Sequence, residues 1–221
     1  MTVAAIVLVP DTAAALGDAD GEPAIRRVVL AAWSGGALPI VLVVPEASEP
    51  FADAVADLPV TIAHPTAGEP PGIAWFVCGQ RAAVLAVAET TAGLLWPFRH
   101  AWIDPETATS LVEAHGVTPD AVVRPAYAGQ AGFPILLPTS LTERLAAHGG
   151  LHGAEAVAAV IAEGAAAWLL ELGDPGIVYD ISAIRSSLPD YQGPSEPAAG
   201  SPPEWNADLA AHAQQSSDTS A

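Results

Sequence analysis

Short apolar runs, partly β-branched, recur along this chain, and alanine-rich stretches of helical character separate them. This alternation constrains the fold more than any single motif does. Val3 to Pro10, Ile40 to Val44, Val60 to Ala63, Gly93 to Phe98, Ala121 to Pro125 and Pro134 to Leu137 read as strands. Ala24 to Trp33, Phe51 to Asp57, Gly79 to Ala88, Pro105 to His115, Leu141 to Ala147 and Ala154 to Ala165 read as helices. Pro23 suits a helix start, and Asp104 suits an N-cap with Glu106 in the first turn, where an acid favours the helix dipole. Ala167 to Leu172 and Gly176 to Asp180 read as further extended segments, Asp11 to Glu22 as a polar acidic loop, and Thr66 to Gly72 as a Pro/Gly-rich loop. Strands that alternate with helices predict an α/β fold: an open, mostly parallel sheet with helices on both faces.

The chain has 221 residues and 51% hydrophobic composition, enough for one sizeable core. From Pro189 onward large apolar residues nearly vanish, which predicts an α/β domain over 1–188 and a disordered tail over 189–221. Trp205 stands out in that tail as a candidate anchor for a partner or for the body of the protein.

Charge narrows the partners. The net charge is −18, and the seven basic residues are all arginines. Nucleic acid and anionic membranes need clustered positive charge, so neither is an expected partner. Val28 to Pro45, the longest uncharged run, holds Gly35-Gly36 and Pro39 and reads as helix end, turn and strand rather than a membrane span. The start, MTVAAIVLVPD, lacks a basic n-region, so a cytoplasmic location is expected. The single Cys78 excludes a disulfide framework. A pair of Cys78 with His64 or His100 would make a nucleophile, but Cys78 within Trp75-Phe-Val-Cys78 reads more simply as a small buried hydrophobe.

The stretch Leu94 to Thr107, LLWPFRHAWIDPET, puts Arg99 and His100 at the tip of a strand, where α/β proteins place their chemistry. Downstream, Val123-Arg-Pro-Ala-Tyr-Ala-Gly-Gln-Ala-Gly-Phe-Pro-Ile-Leu-Leu-Pro138 sets two glycines three apart before an apolar strand. This pattern resembles the P-x-Y-x-G-x-x-G-H-P-x-x-L stretch of nucleotidyltransferases related to the molybdenum-cofactor cytidylyl- and guanylyltransferases, the MobA-like group. Asp104-Pro-Glu-Thr107 resembles their T-P-E-T helix start. His148-Gly-Gly-Leu-His-Gly-Ala154 resembles their G-D-x-G-A turn, and Asp174 to Ser182 their D-x-G-x-x-x-D-I-D-T-P segment. The resemblance runs from residue 3 to 188 in order and is most specific over the second half.

It implies a Rossmann-like three-layer nucleotidyltransferase fold. In such enzymes an acceptor attacks the α-phosphate of a nucleoside triphosphate, with Mg²⁺ and basic groups offsetting charge. A Gly-rich loop after the first strand cradles the triphosphate, and an aspartate at a central strand end holds the metal. Residue by residue, this chain departs from that pattern. In the register of the family's L-A-A-G-x-x-x-R-x-G loop, Gly17 remains, Asp11 replaces the glycine and Ala15 the arginine. The lysine that follows has no counterpart. Pro10 lacks an N–H, and Asp11, Asp18, Asp20 and Glu22 bring negative charge to the expected triphosphate position. Arg99 falls on the metal-binding aspartate, Ser182 on the second acid of D-I-D, and Phe133 on the histidine of G-H-P. A guanidinium has no lone pair to offer Mg²⁺, and a neutral imidazole at His100 is a poor ligand for it.

Two readings follow. In one, the fold is kept and transfer is lost, and the chain acts as a binding or accessory protein for a nucleotide, a small anion or another protein. In the other, it is an active Mg²⁺-dependent transferase of a nucleotidyl group from CTP or GTP, with Asp180 and either Asp104 or Asp174 sharing the metal. Ligand-binding candidates are Arg99, His100, Arg124, Gly129, Gly132 and Gly17. Arg99 is equally suited to an ion pair with Asp180 or Asp104, and Arg124 to holding the Gly-rich turn. An unrelated α/β enzyme is the remaining alternative, without support from any G-x-S-x-G, P-loop or G-x-G-x-x-G pattern.

Overall fold

The structure, a computed structural model, describes residues 2–45 and 49–193. The expected tail beyond residue 193, with Trp205, lies outside the described residues.

β1 (Thr2–Leu8) is followed by α1 (Thr12–Leu16), a small hairpin of β2 (Asp18–Ala19) and β3 (Glu22–Pro23), and α2 (Ala24–Ser34). Next come β4 (Ile40–Val43), α3 (Glu49–Ala54), β5 (Val60–Ala63), α4 (Ile73–Ala86), β6 (Thr90–Pro97) and α5 (Pro105–Val117). β7 (Val122–Tyr127), β8 (Gln130–Ala131), β9 (Ile135–Pro138), α6 (Thr142–Ala146), α7 (Gly153–Ala162) and β10 (Ala167–Glu171) complete the order.

The main sheet runs β10-β7-β9-β6-β1-β4-β5, with β8 paired to β7. β1 pairs in parallel with β4 and β6, β4 with β5, and β10 with β7. β9 is antiparallel to both β6 and β7. The sheet is thus mostly parallel and both its faces are covered. Val3, Ala5 and Val7 of β1 point into a core with α2 and α5, where Ile25, Val28, Leu111 and Trp96 pack. Ala4, Ile6 and Leu8 point the other way, into a second core with Phe76 of α4, Leu145 of α6 and Val157 of α7. Period-2 side-chain alternation explains why a continuously apolar strand serves both layers.

Several element expectations need correction. α4 begins at Ile73, not Gly79, because Trp75-Phe-Val-Cys78 lies within it. An apolar stretch without polar punctuation gives no period by which to tell helix from strand. The acidic stretch after β1 is not a plain loop. Asp11 caps α1 by accepting from the Ala14 N–H at 3.0 Å. Asp20 (φ 60°) and Gly21 (φ 89°) then form the turn of the β2–β3 hairpin, matching the Asp-Gly signature of two-residue hairpin loops. The segment expected to be extended over 176–180 instead opens with a 3₁₀ turn, Pro175–Ile177.

β10 lies at the sheet edge with Trp168 37% and Leu169 54% exposed. Past it, the chain turns back, and the Gln192 N–H donates to the Gly173 carbonyl at 2.8 Å.

Candidate functional site

Parallel strands β1, β4, β5 and β6 end on one side of the sheet, so the turns after them converge there. That edge is where open α/β sheets hold ligands. Arg99 and His100 sit at its centre, in the turn after β6. The turn is fixed from below. The His100 N–H donates to the Pro97 carbonyl at 3.0 Å, and the buried Trp96 indole donates to the His100 carbonyl at 3.0 Å.

Arg99 pairs with Asp180: the Nε–H donates to Oδ2 at 2.8 Å, with 45% and 28% of the two side chains exposed. The Ile181 N–H donates back to the Arg99 carbonyl at 2.8 Å. Asp180 also accepts from the Ser182 N–H at 2.8 Å and from the Ser182 hydroxyl. Partial burial would raise the Asp180 carboxyl. Hydrogen bonds from Ser182 and Arg99 outweigh it and hold that carboxyl below its ordinary value.

His100 turns away from the cleft. Its Nδ1 lies 3.1 Å from the Gly176 carbonyl, which makes Nδ1 the protonated nitrogen. Its ring sits 5.0 Å from Phe133. Burial lowers its pKa, so the neutral form is favoured. His100 thereby ties the strand tip to the Gly-rich turn.

Asp104 caps α5 by accepting from the Glu106 N–H at 3.0 Å. Asp174 is 1% exposed and accepts three hydrogen bonds: from the Asp104 N–H at 2.9 Å, the Thr107 hydroxyl at 2.7 Å and the Gly176 N–H at 2.7 Å. Burial raises its pKa despite those donors. Both acids are engaged in holding backbone together. Among the described residues, no three His, Cys, Asp or Glu side chains gather as a metal-ligand set.

The Gly-rich turn is built tightly. Ala128 (φ 51°) and Gly129 (φ 78°) form the left-handed pair that joins β7 to β8. A side chain at Gly132 would collide with the Ile177 carbonyl, and the Phe133 N–H donates to that same carbonyl at 3.1 Å. Arg124, half-buried on β7, has a buried Nε without a hydrogen-bond partner among the described residues. Gly17 ends α1, its N–H reaching the Ala14 carbonyl at 3.2 Å.

The structure thus brings together Arg99, Asp180, His100 and Gly132 through the segment 174–182. It does not bring Asp104 to Asp180 as a pair, and the Cys78–His64 pair does not form. The Cys78 thiol donates to the His64 carbonyl at 3.3 Å, and burial raises its pKa. Both residues line a cavity of about 530 Å³ on the outer side of α4. A second cavity, about 510 Å³, lies past the ends of β4 and β5 between Pro45, the Pro65–Glu69 turn and Trp75.

Sequence reasoning passed over Trp102. Its indole N–H donates to the carbonyls of Asp180 at 3.0 Å and Ala183 at 3.1 Å. Together with the Arg99–Asp180 pair it straps the C-terminal segment across the strand tip. No spacing in the sequence marks a contact between segments so far apart in the chain.

Comparison with known proteins agrees with this architecture. Among curated proteins no match was found. A nucleotidyl transferase from Methanothermobacter thermautotroptrophicus is 16% identical with a TM-score of 0.65, covering 80% of this chain and 90% of that one. The 2-C-methyl-D-erythritol 4-phosphate cytidylyltransferase of Thermus thermophilus is 16% identical with a TM-score of 0.60, covering 82% and 93%. A Mycobacterium tuberculosis protein solved in complex with manganese is 16% identical with a TM-score of 0.56, covering 77% and 88%. These likenesses establish the fold. The profile of the MobA-like NTP transferase domain matches residues 14–167, most of the chain, and on that match the protein belongs to the MobA-like NTP transferase domain family.

Proposed function

We propose that this chain has kept the nucleotidyltransferase fold and lost nucleotidyl transfer, and that it works as a cytoplasmic binding or accessory protein for a nucleotide, a small anion or another protein. The Arg99–Asp180 ion pair carries the reading. At the strand tip where the family pattern calls for an acid on Mg²⁺, this chain has a cation already neutralised by the nearest acid. The first loop supports it. Asp11 accepts from the Ala14 N–H and Asp18 from the Gly21 N–H at 3.1 Å, so carboxylates of the chain itself occupy two donors of the kind a phosphate would need. Two like charges 4 Å apart repel by about 1 kcal/mol in bulk water and about 4 at an effective dielectric of 20. The residues present therefore do not fit a magnesium triphosphate.

The test is thermal unfolding with CTP, GTP and ATP, with and without Mg²⁺ or Mn²⁺, alongside an assay for pyrophosphate release. A ligand at 100 times its Kd stabilises by about 2.7 kcal/mol, a readable shift. No metal-dependent shift and no pyrophosphate are expected. Stabilisation only when nucleotide and metal are both present would overturn the reading in favour of an active transferase.

A further inference from the structure

We propose that Arg27, Trp102 and Arg185 form a binding site for a small oxyanion, a carboxylate or phosphate carried on a polar metabolite. The site lies beside the strand tip and does not involve Arg99.

Arg27 projects from α2. Its Cζ lies 5.4 Å from the centroid of the Trp102 ring, and Arg185 approaches the same ring at 5.9 Å. Both guanidiniums approach one indole and line the same cavity. Among the described residues, the acid paired with Arg185 is Asp20, at 3.8 Å. Arg27 is half-buried, and its buried Nε has no hydrogen-bond partner among the described residues. Among the described residues, Arg26 grips Asp57 at 2.6 and 2.8 Å and Arg144 reaches the Val160 carbonyl at 2.9 Å, whereas Arg124, like Arg27, keeps a buried Nε without a partner. In a chain of net charge −18, and among the described residues, Arg27 and Arg124 are the arginines without an ion pair to an acid, and only Arg27 lies beside a second guanidinium on one indole.

A cavity of about 200 Å³ opens at this cluster, lined by Arg27, Trp102 and Arg185 together with Ser34, Glu22 and Asp104. That volume suits a small metabolite. Guanidinium forks recognise carboxylate and phosphate in two parallel hydrogen bonds. The rim gives the rest of the specificity. Glu22 and Asp104 accept hydrogen bonds from hydroxyl or amino groups and repel ligands of high negative charge, while the Ser34 hydroxyl serves as donor or acceptor. Trp102 is held in place by its two indole hydrogen bonds, so the ring is a fixed wall rather than a moving one. The site needs neither the loss of transfer nor its retention.

The test follows the tryptophan indole N–H resonances by NMR while inorganic phosphate and, separately, glycolate are titrated at constant ionic strength. The Trp102 signal is assigned with Trp102→Phe. A saturable shift of that one signal is expected with at least one probe, and the stronger probe separates a phosphate from a carboxylate ligand. In Arg27→Gln the midpoint should rise at least tenfold, and likewise in Arg185→Gln, which decides the matter should Arg27→Gln not fold. Arg81→Gln, at an exposed pair with Glu143, should leave it unchanged. No saturable shift with either probe, an undiminished affinity in the folded Gln variants, or an equal loss in Arg81→Gln would overturn the proposal.

Discussion

Removing Asp174 tests the architecture of the strand tip most directly. Its carboxylate is 1% exposed and takes donors from three places: Asp104 N–H, the Thr107 hydroxyl and Gly176 N–H. In Asp174→Ala the Thr107 hydroxyl can rotate toward another acceptor. The two backbone N–H groups cannot, and each buried, unsatisfied donor costs about 1–3 kcal/mol, so the loss is about 2–6 kcal/mol. Relief of a buried charge offsets part of it, which places the expected value in the lower half of that range. For a domain of this size each kcal/mol shifts Tm by about 2–4 °C, giving a fall of roughly 4–16 °C. Asp174→Asn keeps the shape and most acceptor capacity but turns an NH₂ toward a donor, and should be milder. pH supplies a second check. Burial raises the folded pKa above the ordinary value of 3.8, so this group's contribution is fully present below 3.8 and is lost as pH rises through the folded value. The advantage of the wild type over Asp174→Asn should thus be largest in acid and shrink toward neutrality. Urea unfolding across that range measures it. A loss within about 0.5 kcal/mol for Asp174→Ala, as at an ordinary surface position, would refute the clamp.

Other outcomes follow from the same geometry. The Asp57 carboxyl should titrate at about 2 by NMR, held down first by its hydrogen bond from Arg26, and return toward 3.8 in Arg26→Gln. Because its folded pKa is depressed, its stabilising effect is present above 3.8 and disappears as pH falls through about 2. Arg99→Ala should lower stability by no more than about 1 kcal/mol, since both partners are part-exposed, while the Asp180 pKa moves up; an unmoved Asp180 would contradict the pairing. Gly132→Ala should destabilise by about 3 kcal/mol or more in thermal unfolding, because a Cβ there meets the Ile177 carbonyl. Asp11→Ala should cost about 1 kcal/mol through loss of the α1 cap, read by urea unfolding.

Much of the sheet was legible in the sequence because its strands are apolar throughout. β1, β4 and β6 sit between two helical layers, and burial on both faces leaves that plain signal. α4 was harder: its first turn is as apolar as a strand, and only the packing of Phe76 and Trp75 beneath the sheet settles its type. The Asp20-Gly21 hairpin was readable in principle, since that dipeptide is the usual signal, but the surrounding acids suggested loop. At the site, an ion pair of Arg99 with Asp180 is one of the roles the sequence allows that arginine, and the structure forms it. The roles of Trp102, Arg27 and Arg185 were not legible. They meet only because α2, the turn after β6 and the C-terminal segment fold together, and no local periodicity encodes that.

The Arg99–Asp180 pair also couples the two positions it joins. Mutating either residue singly leaves its partner's charge without this contact, and Arg99→Asp adds a like charge near Asp180. An acid at position 99 would sit beside Asp180 with no cation between them, while Asp11 and Asp18 occupy backbone donors in the first loop. The charge balance at the strand tip is therefore shared, so that a substitution at one partner changes the setting in which a substitution at the other acts.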